Sequence, residues 1–153
     1  MTSSKTDILQ NIKIRKFQME DYEVVLALWQ ACGLPAKPTG RDSREKIQKE
    51  ISRDFTHFLV AELDNKLIGT VVATTDGRKG WVNRLAVTEE LRHNGIARLL
   101  LEKAEQIFND MGIEIFTCLI EADNETSMNF FQKSGYVKHT DIIYFSKRKY
   151  PGV

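Results

Sequence analysis

The segment RHNGIA, from Arg92 to Ala97, combines residue types that could hold a phosphate group. It stands directly before a long helical pattern, and the first amides of a helix lack intrahelical partners and carry partial positive charge. Gly95 would let a ligand approach the backbone closely, consecutive amides could form an anion-binding nest, and Arg92 would add a forked cation. The pattern therefore suits a pyrophosphate. The alternative is ordinary loop chemistry, with Asn94 capping the helix and Arg92 solvated.

A second strand-to-helix junction follows at Asn124, at the start of NETSMNFFQKSGY. The helix between the strands WVNRLAV and IEIFTCLI implies that these two strands run parallel. Both junctions should then lie at the same edge of the sheet, where open α/β sheets bind ligands. The sequence contains neither GxGxxG nor GxxxxGK followed by Ser or Thr, which argues against the Rossmann and P-loop folds.

Alternating and helical periodicities predict the elements that position these residues. In chain order they are β-α-α-β-β-β-α-β-α-β-β, with Asp64 and Asn65 in the turn of a hairpin and the segments YVKHT and DIIYFSKRK as the last two strands. The predicted fold class is α/β, with a mixed, mostly antiparallel central sheet and helices on both faces. We expect a flexible lead-in over residues 1–11 and a single domain over residues 12–150.

The charge balance and the cysteines restrict the class of function. Lys and Arg number 22 against 21 Asp and Glu, so the net charge of +1 draws the chain neither to nucleic acid nor to a membrane. No apolar run reaches the ~20 residues of a membrane span and no secretory signal is present, which predicts a cytoplasmic protein. Cys32, Cys118 and the histidines show no metal-ligand spacing, so we expect reduced thiols and no metal site.

The two junctions together resemble the GNAT superfamily of acyl-CoA-dependent N-acetyltransferases. LAVTEELRHNGIARLLL looks like the superfamily's signature strand, pyrophosphate loop and helix, whose loop commonly reads Arg/Gln-x-x-Gly-x-Gly/Ala. NETSMNFFQKSGY is similar to its second motif, usually Asn-x-x-Ala-x-x-Leu/Phe-Tyr followed by Gly and an aromatic residue. The element order matches over roughly residues 12–148, and the match at the level of residues is confined to these two segments.

The resemblance implies acetyl-CoA as the donor and direct attack of an amine on its thioester, without an acyl-enzyme. It puts acetyl-CoA in the notch where the two parallel strands splay apart. By similarity, the backbone of Leu85, Ala86 and Val87 pairs with pantetheine, and Asn124 bonds the same arm of the cofactor. The amides that would hold the pyrophosphate are those of Arg92, His93, Asn94, Gly95, Ile96 and Ala97.

The sequence departs from the superfamily pattern where a Tyr often gives a proton to the departing thiolate. Phe131 occupies that position, so it can only pack against the cofactor, and water, Tyr136 or Tyr144 would replace the acid. Coenzyme A thiol is a fairly good leaving group, by analogy with the cysteine pKa of about 8.5, so the loss of this acid need not abolish turnover. The alternative is a dead enzyme.

The general base is also open, because many relatives carry a Glu on the strand face where this chain has Asn83. Asn83 can orient a substrate or a water molecule, but it cannot take a proton. Glu121 shares a face with Thr117 and Leu119 on the next strand, so it is the predicted base if that face lines the cleft. Otherwise Glu121 is an exposed carboxylate at the end of a strand.

Three further residues are candidates for contact with the acceptor. Asp76 lies in the turn TTDGRKG, where Asp is also common for backbone reasons. Arg84 is flanked by apolar residues on a predicted central strand, so it needs a carboxylate partner from the protein or from the substrate. Trp29 stands at helical spacing, as a core residue or as a platform for the substrate.

These observations predict an acetyl-CoA-dependent N-acetyltransferase that acts on a primary amine, carried by a small amine, an amino acid or a protein N-terminus. Acetyl-CoA and the amine are the expected partners, and exposed terminal strands would permit a homodimer. One alternative is a non-catalytic acyl-CoA-binding regulatory protein, which Phe131 and Asn83 favour. A second alternative is a structural or dimerising module with an empty loop.

Overall fold

Five strands form one mixed sheet in the order β1-β2-β3-β4-β5 in the computed structural model, which describes residues 4–153. The strands are β1 (Lys13–Lys16), β2 (Thr56–Leu63), β3 (Lys66–Thr75), β4 (Lys79–Val87) and β5 (Ile115–Thr117). Strands β1 to β4 pair antiparallel, and β4 pairs with β5 in parallel. The predicted fold class and its parallel pair are confirmed.

Helices cover both faces of this sheet. They are α1 (Lys5–Gln10), α2 (Tyr22–Ala31), α3 (Arg44–Ile51), α4 (Ile96–Asp110) and α5 (Glu125–Lys133). Helix α1 lies in the segment expected to be a flexible lead-in, of which residues 1–3 are outside the described residues. The Ser4 hydroxyl caps this helix, and Ile8 and Leu9 pack against the core. None of the helices within residues 4–153 is long and apolar enough to cross a membrane.

Alternate residues of the central strands enter two different cores, because successive side chains of a strand point to opposite faces. In β2, Phe58 and Val60 pack with α2 and α3, whereas Leu59 and Ala61 pack with α4 and α5. Both faces of the sheet are therefore buried, which explains the nearly continuous apolar runs of β2 and β3. The hairpin between them turns at Asp64 and Asn65, as predicted, and both residues adopt a left-handed conformation at φ +52° and +64°.

Strand β4 bends away from β5 at a bulge centred on Arg84. The β3–β4 register shifts between Thr70 and Val72, and Arg84 adopts a φ of +53°, which is unusual for a residue with a side chain. The buried Thr70 hydroxyl donates to the Arg84 carbonyl at 2.7 Å and accepts from the Trp29 indole at 3.1 Å. These two bonds join the bulge to helix α2.

The two parallel strands separate soon after they meet. Strand β5 pairs with β4 only from Ile115 to Thr117, opposite Lys79 to Trp81. Beyond that point, the edge of β4 that faces away from β3 has no neighbouring strand within residues 4–153, from Val82 to Val87. The first part of the pair is fixed by Phe108 of α4, whose ring would lie 2.5 Å from a Cβ atom on Gly80, so only glycine fits there.

The last two predicted strands are absent from the structure. Residues 137–149, which we call the C-terminal arm, contain neither strand nor helix, although YVKHT and DIIYFSKRK have the composition of strands. A strand needs a hydrogen-bonding neighbour, and no backbone amide or carbonyl of the arm bonds another backbone group within residues 4–153. The prediction of two strands is thus wrong for the single chain.

Replacement of Thr70 by Val tests the hydrogen bonds that hold the bulge. We expect Thr70→Val to lower the free energy of unfolding by about 1 to 3 kcal/mol, because a buried indole N–H and a carbonyl lose their partner. Urea denaturation measures the loss. Thr74→Val, on the same strand and without a side-chain hydrogen bond in the structure, is the matched control and should change stability by less than about 0.5 kcal/mol. Equal effects of the two variants would contradict the assignment.

Candidate functional site

A cleft of about 440 Å³ opens where β4 and β5 separate. Its volume lies within the range of small-molecule sites. The loop that follows α2 and helix α3 form one wall, and the chain that follows β5 and the first turns of α5 form the other. The bulged half of β4 lies between the two walls. The fold thus brings both strand-to-helix junctions to the same end of the sheet.

The start of helix α4 presents a run of unoccupied backbone amides. No backbone or side-chain acceptor within residues 4–153 takes a hydrogen bond from the amides of residues 93–98, and the first helical bond runs from the Leu99 amide to the Gly95 carbonyl. His93 and Gly95 adopt left-handed φ values of +65° and +85°. Such alternation lets neighbouring amides converge, which is the geometry of an anion-binding nest.

The side chains around this loop leave those amides accessible. The Asn94 amide group donates to the carbonyls of Leu91 and Arg92 at 3.0 and 3.2 Å, so it braces the turn and does not cap the helix. The Arg92 Nε donates to the Val87 carbonyl at 3.3 Å, while the rest of its guanidinium is exposed. Of the side chains, Leu9 of α1 comes nearest, since its Cδ1 would lie 3.4 Å from a Cβ atom on Gly95.

The backbone of Leu85, Ala86 and Val87 lies on the open edge of β4. Ala86 and Val87 bury their side chains in opposite cores, and Leu85 lines the cleft. The Val87 carbonyl already accepts bonds from the Cys32 thiol and from Arg92, at 3.5 and 3.3 Å. The other two residues have no strand beside them on the cleft side.

Asn124 and Phe131 line the opposite side of the cleft on α5. The Asn124 side-chain oxygen caps α5 by accepting from the Ser127 amide at 3.1 Å, while its amide nitrogen has no acceptor among the described residues. Phe131 is buried and lies edge-on to Phe130 and Tyr136. Its ring therefore packs at the base of the cleft.

Tyr136 does not reach the cleft, which corrects its prediction as a replacement acid. Its hydroxyl donates to the Glu105 carboxylate on α4 at 3.0 Å, on the far side of Phe131. Burial raises the pKa of Tyr136 well above its usual value, and the Glu105 charge raises it further. Tyr144, the other tyrosine considered, lies exposed in the C-terminal arm.

Arg84 has its carboxylate partner within the protein. Its Nη2 donates to both carboxylate oxygens of the buried Asp42 at 3.2 and 3.1 Å, and its Nη1 donates to the Pro35 carbonyl. The guanidinium lies 4.5 Å from the ring centroid of Trp29. Burial lowers the pKa of Arg84, and Asp42 opposes this effect. Arg84 therefore ties the loop that follows α2 to the bulge, and its charge is not free for a substrate.

Asp76 and Trp29 make contacts that stabilise the fold. The exposed Asp76 carboxylate accepts from the amides of Arg78 and Lys79 at 2.9 and 2.8 Å, bonds that lower its pKa, and it lies outside the cleft. The substrate role for Asp76 is thus a prediction that the geometry contradicts. Trp29 is 3% exposed and stacks on Phe58, so it forms the floor beneath Arg84 and not an open platform.

Asn83, Glu121 and Glu50 are among the polar residues that line the open cleft. Asn83 and Glu121, both predicted, are exposed there on β4 and after β5. Glu50 on α3 was not predicted; burial raises the pKa of its carboxyl above the usual value, although the Arg53 charge opposes this effect. Glu50 lies three positions after the buried Ile47, so the helical period was a usable signal that its carboxylate shares the inward face.

The cysteines and histidines do not form a reactive cluster. Cys32 and Cys118 are free thiols, and burial raises the pKa of Cys118 to about 11, which opposes its use as a nucleophile. Within residues 4–153, no three His, Cys, Asp or Glu side chains converge as a metal site. The cleft therefore offers carboxylates and amides as its working groups.

A known protein family and a solved structure are similar to this chain. The family model described as the acetyltransferase (GNAT) family matches residues 14–136. The PaiA N-acetyltransferase of Thermoplasma acidophilum, solved with coenzyme A, is 28% identical with a TM-score of 0.73, over 85% of this chain and 92% of that chain.

Two aminoglycoside acetyltransferases share the fold at lower identity. The enzyme meta-AAC0020 from an uncultured soil metagenomic sample, solved with trehalose, is 18% identical with a TM-score of 0.73, over 92% of this chain and 98% of that chain. The 6'-N-acetyltransferase AAC(6')-IG of Acinetobacter haemolyticus is 19% identical with a TM-score of 0.73, over 89% of this chain and 98% of that chain.

Replacement of Asp42 by Asn tests the ion pair that closes one wall of the cleft. We expect Asp42→Asn to lower the free energy of unfolding by about 3 kcal/mol, because Arg84 keeps a largely buried charge without a partner. In the Asp42→Asn variant, the further change Arg84→Met should lower the free energy of unfolding by less than the same change does in the parent. Glu23→Gln, which breaks the exposed pair with Arg44, is the control and should cost less than about 1 kcal/mol. Additive effects in the Asp42→Asn, Arg84→Met pair, measured by urea denaturation, would contradict the coupling.

Proposed function

The chain belongs to the acetyltransferase (GNAT) family, and from this premise we propose that it transfers an acetyl group from acetyl-CoA to the primary amine of a small cationic acceptor. It is an N-acetyltransferase with acetyl-CoA as its donor. The observation that carries the proposal is the run of amides at residues 93–98 that have no hydrogen-bond acceptor among the described residues, next to an open strand edge and the cleft that contains Glu50 and Glu121.

The donor half of the proposed site consists mainly of backbone. The free amides of residues 93–98 suit a pyrophosphate, and the exposed part of the Arg92 guanidinium adds positive charge beside them. The open edge of β4 at Leu85 and Ala86 suits the amides of pantetheine, and the free side-chain nitrogen of Asn124 suits one of its carbonyls. Acetyl-CoA, when bound, supplies an acetyl group activated as a thioester.

The acceptor half consists of side chains, and its charges favour a cation. Three carboxylates and two guanidinium groups line the cleft. Arg41 and Arg84 both lie against Asp42, whereas Glu50 and Glu121 stand on opposite walls without an ion-pair partner among the described residues. An ammonium group would therefore be attracted into the cleft, and the volume of about 440 Å³ suits a small molecule or the end of a flexible chain. The excess of one negative charge in the lining favours a cationic amine as the acceptor.

We assign the general base to Glu50 and the attraction of the acceptor to Glu121. An amine must lose a proton as it attacks, and a base whose pKa lies nearer to the working pH takes that proton more effectively. Glu50 is half-buried with a raised pKa, while Glu121 is exposed. Asn83, between them on β4, can orient the amine through its side-chain amide.

Water is the proposed proton source for the departing thiolate. Phe131 cannot donate a proton, and the Tyr136 hydroxyl is bound to Glu105 outside the cleft. The mouth of the cleft is open to solvent, and a thiol with a pKa near 8.5 leaves without strong acid assistance. In this scheme Phe131 excludes water from one side of the thioester and takes no part in proton transfer.

The domain bounds, the cellular location and the oligomeric state of the enzyme are part of the same proposal. A single domain over residues 12–150, a cytoplasmic location and a homodimer fit a small acetyl-CoA enzyme with two free thiols and an unpaired C-terminal arm. A net charge of +1 favours a small-molecule acceptor over a nucleic-acid or membrane partner.

Replacement of Gly95 by Glu tests the donor site. Coenzyme A and acetyl-CoA at a hundred times their Kd should stabilise the parent by about 2.7 kcal/mol, a rise of several degrees in the unfolding midpoint. Gly95→Glu should abolish the rise, because its carboxylate faces the phosphates. Gly112→Glu puts the same residue at a glycine of similar positive φ after the other end of α4, and it should keep the rise. A parent that neither ligand stabilises would contradict the proposal.

Removal of each carboxylate tests the division of roles in the acceptor site. With a responsive amine, Glu50→Gln should lower kcat by about 10²- to 10⁴-fold, the usual contribution of a general base. In the parent, kcat/KM should fall as the pH drops through a pKa above the ordinary carboxyl value, and Glu50→Gln should lose this limb. Glu121→Gln should mainly raise KM. Release of coenzyme A measures both constants. A loss of kcat in Glu121→Gln with a raised KM in Glu50→Gln would contradict the assigned roles.

A further inference from the structure

Residues 150–152, which we call the clasp, lie against the loop that follows α2. The Gly152 carbonyl accepts from the Arg41 amide at 3.0 Å, and the Pro151 carbonyl accepts from the Lys37 ammonium group at 3.1 Å. None of the three clasp residues lines the cleft, although Arg41 does. The clasp therefore supports a wall of the cleft from outside the site.

The backbones of Gly40 and Gly152 approach each other too closely for a side chain on Gly40. A Cβ atom on Gly40 would overlap the Gly152 carbonyl oxygen and would lie 2.7 Å from its carbonyl carbon. The φ of Gly40 is not positive, so the close approach alone calls for glycine there. In the other direction there is room, because the atom nearest to a Cβ atom on Gly152 is the Gly40 Cα at 3.5 Å. Only Gly40 is thus essential to the contact.

The same loop is fixed on its inner side by Asp42. The Asp42 carboxylate accepts from the Lys37 amide at 2.8 Å and from the Arg84 guanidinium, and its carbonyl accepts from the Tyr22 hydroxyl at 2.7 Å. Lys37 therefore bonds Asp42 through its backbone and the clasp through its side chain. Arg41, which the clasp also bonds, directly precedes Asp42. The loop is held between the bulge of β4 on one side and the clasp on the other.

The clasp also contacts the first turn of α3. The Lys46 ammonium group donates to the Tyr150 hydroxyl and lies 4.7 Å from the centroid of its ring. The Ser43 hydroxyl caps the helix by accepting from the Lys46 amide at 3.3 Å. Glu50, the proposed base, follows one turn later on the same helix. A shift of the first turn of α3 would therefore move the Glu50 carboxylate as well.

No other hydrogen bond attaches the C-terminal segment to this wall. Within residues 4–153, residues 137–149 form no hydrogen bond with α3 or with the loop that follows α2. The arm is fixed at its start by Tyr136, which packs against Phe131 on the opposite wall of the cleft. The clasp is thus the point at which the segment after α5 reaches the wall formed by α3, and its loss would leave that wall without this support.

We propose that the clasp positions the acceptor wall of the cleft, formed by the loop that follows α2 and by α3, and that Gly40 is the residue that makes this contact possible. The inference rests on the proposed function, because it concerns the acceptor half of that same site. The clasp does not touch the amine and acts through Arg41 and α3. A displacement of about 1 Å in a reacting group can cost about 10²-fold in rate, so support from outside the site affects turnover.

The donor half of the site lies apart from the clasp. Within residues 4–153, no hydrogen bond joins residues 150–152 to the edge of β4, to the loop before α4 or to Asn124. Loss of the clasp should therefore impair the acceptor half and leave coenzyme A binding intact. A merely structural role predicts a loss of stability with unchanged kinetic constants for the folded enzyme.

Replacement of Gly40 by Ala tests the positioning role, because its methyl group displaces the Gly152 carbonyl. With a responsive amine, Gly40→Ala should lower kcat by about 10- to 100-fold and raise KM for the amine by about tenfold. Its Kd for coenzyme A should stay within about twofold of the parent value. Gly152→Ala adds the same methyl group where there is room, so its kcat, KM and Kd should all stay within about twofold of the parent values.

Tyr150→Ala is a second variant that puts no strain on the backbone. Tyr150 is 44% exposed, so the fold should survive while the contact with α3 is lost. Its kcat should fall by about threefold or more, with an unchanged Kd for coenzyme A. Hydrogen exchange checks the release of the clasp: the Arg41 amide, bonded to Gly152 in the parent, should exchange at least about tenfold faster in Gly40→Ala.

The outcomes separate this inference from the proposed function. An active parent whose kcat and amine KM are unchanged in Gly40→Ala and in Tyr150→Ala would overturn the positioning role. A loss in Gly40→Ala that Gly152→Ala shares, or that comes with an equal loss of coenzyme A affinity, would overturn it as well. A parent that transfers no acetyl group from acetyl-CoA would overturn the proposed function, and with it the positioning role that rests on it.

Discussion

The bulge in β4 is the constraint on which the rest of the site depends. A regular strand would continue its parallel pairing with β5 and close the cleft, but the positive φ of Arg84 turns the chain away after three paired residues. That conformation is held from both sides. The Thr70 hydroxyl fixes the Arg84 carbonyl, and Asp42 fixes its guanidinium. One residue in a sparsely populated conformation thus creates both the open strand edge and the wall of the acceptor site.

The two halves of the site use different physical means. The donor half relies on backbone groups, namely the free amides before α4 and the unpaired edge of β4, which tolerate many side chains as long as the fold is kept. The acceptor half relies on side chains of α3 and of the segment after β5, where Glu50 and Glu121 lie. Backbone recognition suits a donor that never changes. Side-chain recognition allows the acceptor to differ among enzymes with one fold.

The sheet and the position of the loop before α4 were predictable because their signals are local, whereas the donor residues stay a prediction. Apolar alternation gave the strands, the helix between β4 and β5 gave their parallel direction, and Asp64-Asn65 gave the hairpin. The acceptor half depends on contacts between distant residues. Arg84 and Asp42 are 42 positions apart, so the sequence indicated that a carboxylate was needed without indicating which one. Tyr136 follows Gly135, whose φ of +94° directs the chain toward α4 and away from the cleft. No periodicity records such a turn.

The contacts of residues 150–152 affect the order in which the molecule can fold. The Lys37 ammonium group donates to the Pro151 carbonyl at 3.1 Å across a separation of 114 residues, and Arg41 beside it bonds Gly152. Contacts of such long range form late, because the entropy of closing the chain must be overcome first. The β2–β3 and β3–β4 hairpins join near neighbours in the chain and can form first. We therefore expect the wall of the proposed acceptor site that carries these long-range contacts to be completed after the hairpins of the sheet.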